Sequence, residues 1–246
     1  MIPSQNLSTF DFNDLFIFEM ANNHQGDVRH GLRIIHALAD IVGRTGVRAA
    51  VKFQFRDLDT FIHPKYREYQ DNKHISRFLS TRLSDSEFQR LVEEGKQKGL
   101  LSMCTPYDEV SVEKIERMGI EIIKVASSSA HDWPLLEKIA QTGKPVICST
   151  GGLTIRDIDK VASFFQHQGV NFALLHCVSM YPVPNEKLHL NQLDFMRKRY
   201  PGITIGFSTH EDPANFHTIR LAYAKGARIF EKHVGIPTDT IHLNAY

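Results

Sequence analysis

Glycine recurs in this chain where helix-period segments stop: at Gly46, Gly99, Gly119, Gly143, Gly169 and Gly226, each followed within one to three residues by an apolar, β-rich segment. A helix that closes on a left-handed glycine and turns straight into a strand is the αβ connection of α/β folds. Helix starts agree. Ser84 and Glu87 form a capping box, and Asp132 and Asp212 precede Pro134 and Pro213 as caps with an early proline.

Strands are expected near 14–19, 47–55, 100–105, 120–127, 145–150, 171–178, 203–208 and 228–234. Helices are expected near 28–43, 85–98, 108–118, 133–142, 154–168, 189–199 and 213–225. Eight strands alternating with helices over about 250 residues predict an α/β fold, the parallel (β/α)8 TIM barrel. An open doubly wound sheet is the alternative; no G-x-G-x-x-G follows the first strand, which counts against its dinucleotide-binding form. Residues 1–246 are expected to make one barrel domain, with 1–13 as an N-terminal extension and 56–83 as a long second loop of the kind that serves as a lid.

Composition narrows the function classes. Of 246 residues 42% are hydrophobic and 23% charged, enough for one large core. With 29 Lys and Arg against 28 Asp and Glu, there is no global field to gather nucleic acid or an anionic membrane. The start "MIPSQNLSTFDFND" lacks the basic and apolar regions of a signal peptide, and no run approaches the roughly 20 apolar residues of a membrane span, so a soluble, cytoplasmic protein is expected. Cys104, Cys148 and Cys177 each lie in a short apolar segment and read as reduced core thiols, with catalytic thiol or metal ligand as the alternative.

Barrel enzymes place their chemistry where strands end. Here the first strand ends with Glu19, Asn23 and His24, and the second puts Lys52 and Gln54 on one face. The third ends in Thr105, the fourth carries Lys124 and Ser127, the fifth Ser149, and the sixth Ser179 and Tyr181. The seventh ends with Ser208 and His210; the eighth, "FEKHVG", sends Glu231 and His233 to the face opposite Phe230 and Val234. A lone strand lysine usually snorkels, a lone serine usually caps a helix, and a lone histidine is usually a satisfied core group. So many at one end of eight strands is another matter, because buried Lys and Glu are rare unless paired. The two lysines with Thr105, Ser127, Ser149 and Ser208 suit a small dianion or trianion bearing a phosphate. Barrel closure brings the last two strands together, so His210 and His233 can meet. Two neutral imidazoles near a carboxylate favour Mn²⁺, Zn²⁺ or Fe²⁺ acting as a Lewis acid.

Taken in order, "FEMANNHQG", "VKFQ", "CTPYD", "IIKVASSS", "STGG", "LHCVSMYP", "GFSTH" and "EKH" resemble the sialic acid synthase family, which includes N-acetylneuraminate synthases and spore-coat polysaccharide synthases. The resemblance implies a transferase that joins phosphoenolpyruvate to the open-chain aldehyde of an N-acyl hexosamine such as N-acetylmannosamine, forming a nonulosonic acid and releasing phosphate. By motif position, Lys52, Thr105, Lys124, Ser127, Ser149 and Ser208 would hold phosphoenolpyruvate, and Gln54, Ser179, Asn23 and His24 would complete the substrate set. Glu19, Lys52, Lys124 and Tyr181 would serve catalysis, Tyr181 touching the sugar and Glu19 standing near the reacting carbons. His210 and His233 would bind manganese, or magnesium, cobalt or zinc, with Glu231 as an outer partner. The family likeness also implies a homodimer, and an antifreeze-like C-terminal domain that supplies an arginine to the partner's site; no such domain is expected within 1–246.

Three departures bear on the sugar. Ser179 stands where many members have Asn, Thr209 replaces an acid beside His210, and the tail "GIPTDTIHLNAY" lacks a recognisable acidic sugar-contacting stretch. Two rivals remain: an aldol-type synthase acting on a sugar phosphate, and a non-catalytic sugar-binding barrel. The first would want a second basic subsite; Lys65, Arg67, Lys73 and Arg77 on the long loop are read instead as a solvated lid face.

Overall fold

Each strand except the seventh reads much the same way along its inward parity: an apolar residue, then, two positions later, a polar one or, in the sixth, a cysteine. The pairs are Ile17 and Glu19, Ala50 and Lys52, Met103 and Thr105, Ile122 and Lys124, Ile147 and Ser149, Leu175 and Cys177, and Ile229 and Glu231. In the computed structural model, which describes residues 9–66, 72–212 and 214–238, this parity becomes two layers of one closed barrel. The order is β1 (Leu15–Glu19), α1 (Val28–Thr45), β2 (Arg48–Phe55), α2 (Leu58–Phe61), α3 (Lys73–Ser80) and α4 (Asp85–Gln97). It continues with β3 (Leu101–Pro106), α5 (Glu109–Arg117), β4 (Ile122–Val125), α6 (Trp133–Gln141), β5 (Val146–Ser149) and α7 (Ile155–His167). It closes with β6 (Phe172–Cys177), α8 (Asn191–Arg199), β7 (Ile205–Ser208), α9 (His217–Ala224) and β8 (Ile229–His233).

All neighbours are parallel, and β8 pairs with β1, Leu15 opposite Ile229. The predicted barrel therefore holds, and the doubly wound sheet is excluded. The six glycines have positive φ, from 62° at Gly119 to 89° at Gly226. Ser84 makes its capping box and Asp132 accepts from the Leu135 N–H. Asp212 does not cap a helix as expected: it accepts from the Ala214 N–H, and α9 starts later, at His217. Among the described residues of the presumed loop 56–83, Asn72 caps an amphipathic stretch that forms the helix α3, which was not expected.

The lower interior is a small apolar cluster of Leu15, Ile17, Ala50, Met103, Ile122, Ile147, Ala173, Leu175 and Ile229, closed from below by Phe12 of the extension. Opposite-parity residues such as Val51, Phe53, Ile123, Leu174 and Phe207 pack outward under the helices. Gly206 lies between β6 and β8, where an added Cβ would come 2.6 Å from the Ile229 backbone oxygen. The three cysteines are buried and form no disulfide, and burial raises each thiol, Cys148 to about 12; Cys104 and Cys148 pack in the core as expected, whereas Cys177 faces the barrel mouth, its Sγ 4.0 Å from His210 Nδ1. No helix among the described residues is long and apolar enough to cross a membrane. Arg67 and most of the tail, from Asp239 on, lie outside the described residues.

Candidate active site

The polar upper layer opens into a cavity of about 330 Å³ at the C-terminal ends of the strands. Every site residue expected from the sequence lines it except Asn23 and His24. Register explains the grouping. Glu19 pairs across the sheet with Lys52 and, on the other side, with His233, while Ser208 pairs with Glu231. His210 and His233 each lie two residues further on, and their ring centroids are 5.7 Å apart.

At the floor, Lys52 Nζ lies 2.5 Å from Glu19 Oε2 and 3.0 Å from Glu231 Oε1. Lys124 Nζ is 3.6 Å from Glu231 Oε2 and donates to Ser149 Oγ at 2.6 Å. All four charged groups are at most 6% exposed. Burial would lower the Lys52 ammonium, but Glu19 and Glu231 more than reverse this and it ends raised. Lys124 has one distant carboxylate, so burial prevails and its ammonium is lowered. Burial alone would raise Glu231; the two lysines overcome that and hold it down at about 2. Of the two floor lysines, Lys124 thus has the less negative charge around it. Beside it, Thr105 Oγ1 and Glu231 Oε2 are buried without a hydrogen-bond partner, and Ser127 Oγ accepts from the Gly151 N–H. The Lys124 ammonium and the Thr105 hydroxyl are the groups here that could donate to an anion.

At the rim, Tyr181 is 63% exposed with its ring centroid 4.3 Å from that of His210. Burial, and then the neighbouring His233, lower His210 to about 4; burial also lowers His233. Burial thus favours the neutral imidazole at both, the form that ligates a metal, and His233 Nδ1 is buried without a partner. Among the described residues no group of three or more His, Cys, Asp or Glu is arranged around a metal position. His210 and His233 are the two residues here that could ligate a divalent cation. Glu231 is committed to the lysines.

Asn23 and His24 are placed elsewhere. Asn23 donates to the Val234 carbonyl, tying the turn after β1 to the end of β8. His24 meets Phe88 edge-on and lines a second cavity of about 610 Å³ between α3, α4 and α5. Lys65, Lys73 and Arg77 are exposed and none lines the barrel mouth, so among the described residues they form no second basic subsite there. Residues not singled out from sequence include Tyr107, which lines the mouth with Ala126 and Ser128, and Arg56, which donates to Gln54. For Tyr107 and Arg56 a signal existed, since each continues its strand's inward parity by two, Gln54 to Arg56 and Thr105 to Tyr107.

A closed (β/α)8 barrel with cationic, hydroxyl and imidazole groups gathered at the C-terminal ends of its strands defines the class of barrel proteins that carry their polar site at that rim. More narrowly, residues 42–241 match the NeuB family model, and the chain belongs to that family. It is 50% identical to the crystal structure of a protein assigned as spore coat polysaccharide biosynthesis protein E from Chromobacterium violaceum, with a TM-score of 0.92 over 95% of this chain and 69% of that one. It is 33% identical over 218 residues to an uncharacterized protein of Methanocaldococcus jannaschii, covering 88% of this chain and 60% of that protein. With the N-acetylneuraminate-9-phosphate synthase of Mus musculus it is 28% identical over 225 residues, 89% of this chain. The chain spans about three fifths of the length of these curated relatives, 60% and 61%.

Proposed function

We propose that this barrel condenses phosphoenolpyruvate with the open-chain aldehyde of an N-acyl hexosamine, giving a nonulosonic acid and inorganic phosphate. The observation that carries the reading is Lys124, buried, short of negative charge and flanked by Ser149 and the unpartnered Thr105 hydroxyl. An enol phosphate with its carboxylate answers that deficit. The names of the spore-coat and N-acetylneuraminate-9-phosphate relatives support the sugar class.

In this reading Lys124, Ser127, Ser149, Thr105 and Ser208 grip the anionic substrate while Lys52 stays fixed between Glu19 and Glu231. The aldehyde lies toward Tyr181, and Ser179 contacts the sugar. A divalent cation on His210 and His233, manganese first, would polarise the aldehyde oxygen. The phosphoenolpyruvate methylene carbon forms the new C–C bond, and the aldehyde oxygen takes up a proton. Water then adds to the resulting oxocarbenium-like carbon, giving up a proton for which Glu19 is the nearby carboxylate, and phosphate departs to leave the 2-keto acid. A homodimer accompanies this reading.

The test is phosphate release from phosphoenolpyruvate in the presence of Mn²⁺, with N-acetylmannosamine, its 6-phosphate, and arabinose and erythrose phosphates as acceptors, and mass spectrometry of products. Release with an N-acyl hexosamine supports the proposal. Release only with the other sugar phosphates transfers it to the aldol-type synthases, and silence with all acceptors from a folded protein that still binds sugar leaves a binding barrel.

A further inference from the structure

Arg56 is the first residue past β2, and its guanidinium is boxed by aromatic rings. Its Cζ is 3.7 Å from the Tyr107 ring centroid, 4.4 Å from Phe78 and 5.8 Å from Phe61. Phe61 belongs to α2 and Phe78 to α3, the two helices of the excursion between β2 and β3, whereas Tyr107 lines the barrel mouth. A planar guanidinium stacks on ring faces in a way an ammonium does not.

From this cage Arg56 Nη2 donates to Gln54 Oε1 at 3.0 Å, and Gln54 Nε2 donates to Glu19 Oε2 at 3.2 Å. Chemistry fixes the direction of both bonds. Arginine can only donate, so the Gln54 atom facing it must be the carbonyl oxygen, and the amino group is thereby turned toward Glu19. The same Glu19 oxygen receives Lys52 at 2.5 Å, and Glu19 Oε1 accepts from the Ala21 N–H at 2.8 Å. The Gln54 amide is one of the few groups that define where this carboxylate stands, and without Arg56 its carbonyl oxygen loses its donor, leaving the single 3.2 Å bond to Glu19 to hold its orientation.

We propose that Arg56 is a positioning residue: it locks the Gln54 amide so that Glu19 is held for the reaction, and it makes that lock depend on the α2–α3 excursion being in place. The inference rests on the condensation reading only for Glu19's task. The lock itself is a property of the fold and is measurable without turnover.

Two readouts test it, the Gln54 side-chain amide in ¹⁵N-labelled protein, assigned as the pair of signals lost in Gln54→Ala, and steady-state kinetics. In Arg56→Met, which keeps bulk but not the donor, amide exchange should quicken at least tenfold. The kcat should fall tenfold or more while KM for phosphoenolpyruvate stays within threefold. Arg56→Met added to Gln54→Ala should cost nothing further in kcat, because Arg56 acts through that amide. Arg56→Lys, which keeps a donor but not the plane, should recover part of both losses, and supplies the same test should Arg56→Met fail to fold. Phe78→Ala should quicken the amide without touching the mouth. An unchanged Gln54 amide in Arg56→Met, or a lowered Tm with kcat intact, overturns the proposal. Quickened exchange in a protein that condenses no acceptor upholds the lock and instead refutes the condensation reading.

Discussion

Glu231 is the counter-charge of two buried lysines, and removing only its charge tests whether the cradle is built as described. Glu231→Gln keeps size and shape but leaves Lys124 with no carboxylate and Lys52 with Glu19 alone. Breaking one side of a buried ion pair costs about 3–5 kcal/mol. The depression of Glu231 from 4.5 to about 2 corresponds independently to about 3 kcal/mol of folding stability. Since the folded-state value is the lower one, that stability is fully present above pH 4.5 and is lost as pH falls toward 2. Urea unfolding with chelator present should show Glu231→Gln about 3 kcal/mol less stable at pH 7, with the gap narrowing to about 1 kcal/mol at pH 3. In a thermal scan the pH 7 penalty is roughly 6–12 °C for a chain of this size. A variant as stable as the parent at pH 7, or a penalty that does not shrink with acid, would show that Glu231 does not compensate these lysines.

Replacing His233 by Ala should abolish metal-dependent phosphate release while leaving circular dichroism and the unfolding midpoint nearly unchanged; retained Mn²⁺ dependence removes it from the metal site. Lys124→Ala should weaken phosphoenolpyruvate binding by roughly 1.5–3 kcal/mol, about tenfold to a hundredfold in Kd by calorimetry. In Gly151→Ala the new Cβ would fall 2.5 Å from Ser179 Oγ and 3.1 Å from Ser127 Oγ, so substrate KM should rise with little change in Tm. Gly206→Ala should do the reverse, costing about 1–3 kcal/mol by overpacking between β6 and β8 and slowing turnover only through lost folded protein.

The barrel was legible because its helix ends and strands obey local rules: a glycine stops each helix, and inward parity carries an apolar residue and then a polar one. Parity works only while the chain is extended. After Glu19 the backbone turns through positive φ at Ala21 and Gln25, which swings His24 out to Phe88 and sends Asn23 to the Val234 carbonyl. Asp212 misled for a related reason, its carboxylate closing a local turn instead of starting α9. The excursion 56–83 looked like loop because α2 and α3 are short and buried on few sides, so no long period marks them.

What the chain order alone determined is which side chains share the inward face at the upper rim, since alternation along a strand is a local consequence of backbone geometry. Which ammonium meets which carboxylate was decided only by closure. Lys52 and Glu231 are 179 residues apart, and their 3.0 Å contact exists because strand registers accumulate around the ring until β8 comes level with β1. The same closure leaves Lys124 the worse compensated of two similar lysines, a difference of distances that no local pattern encodes.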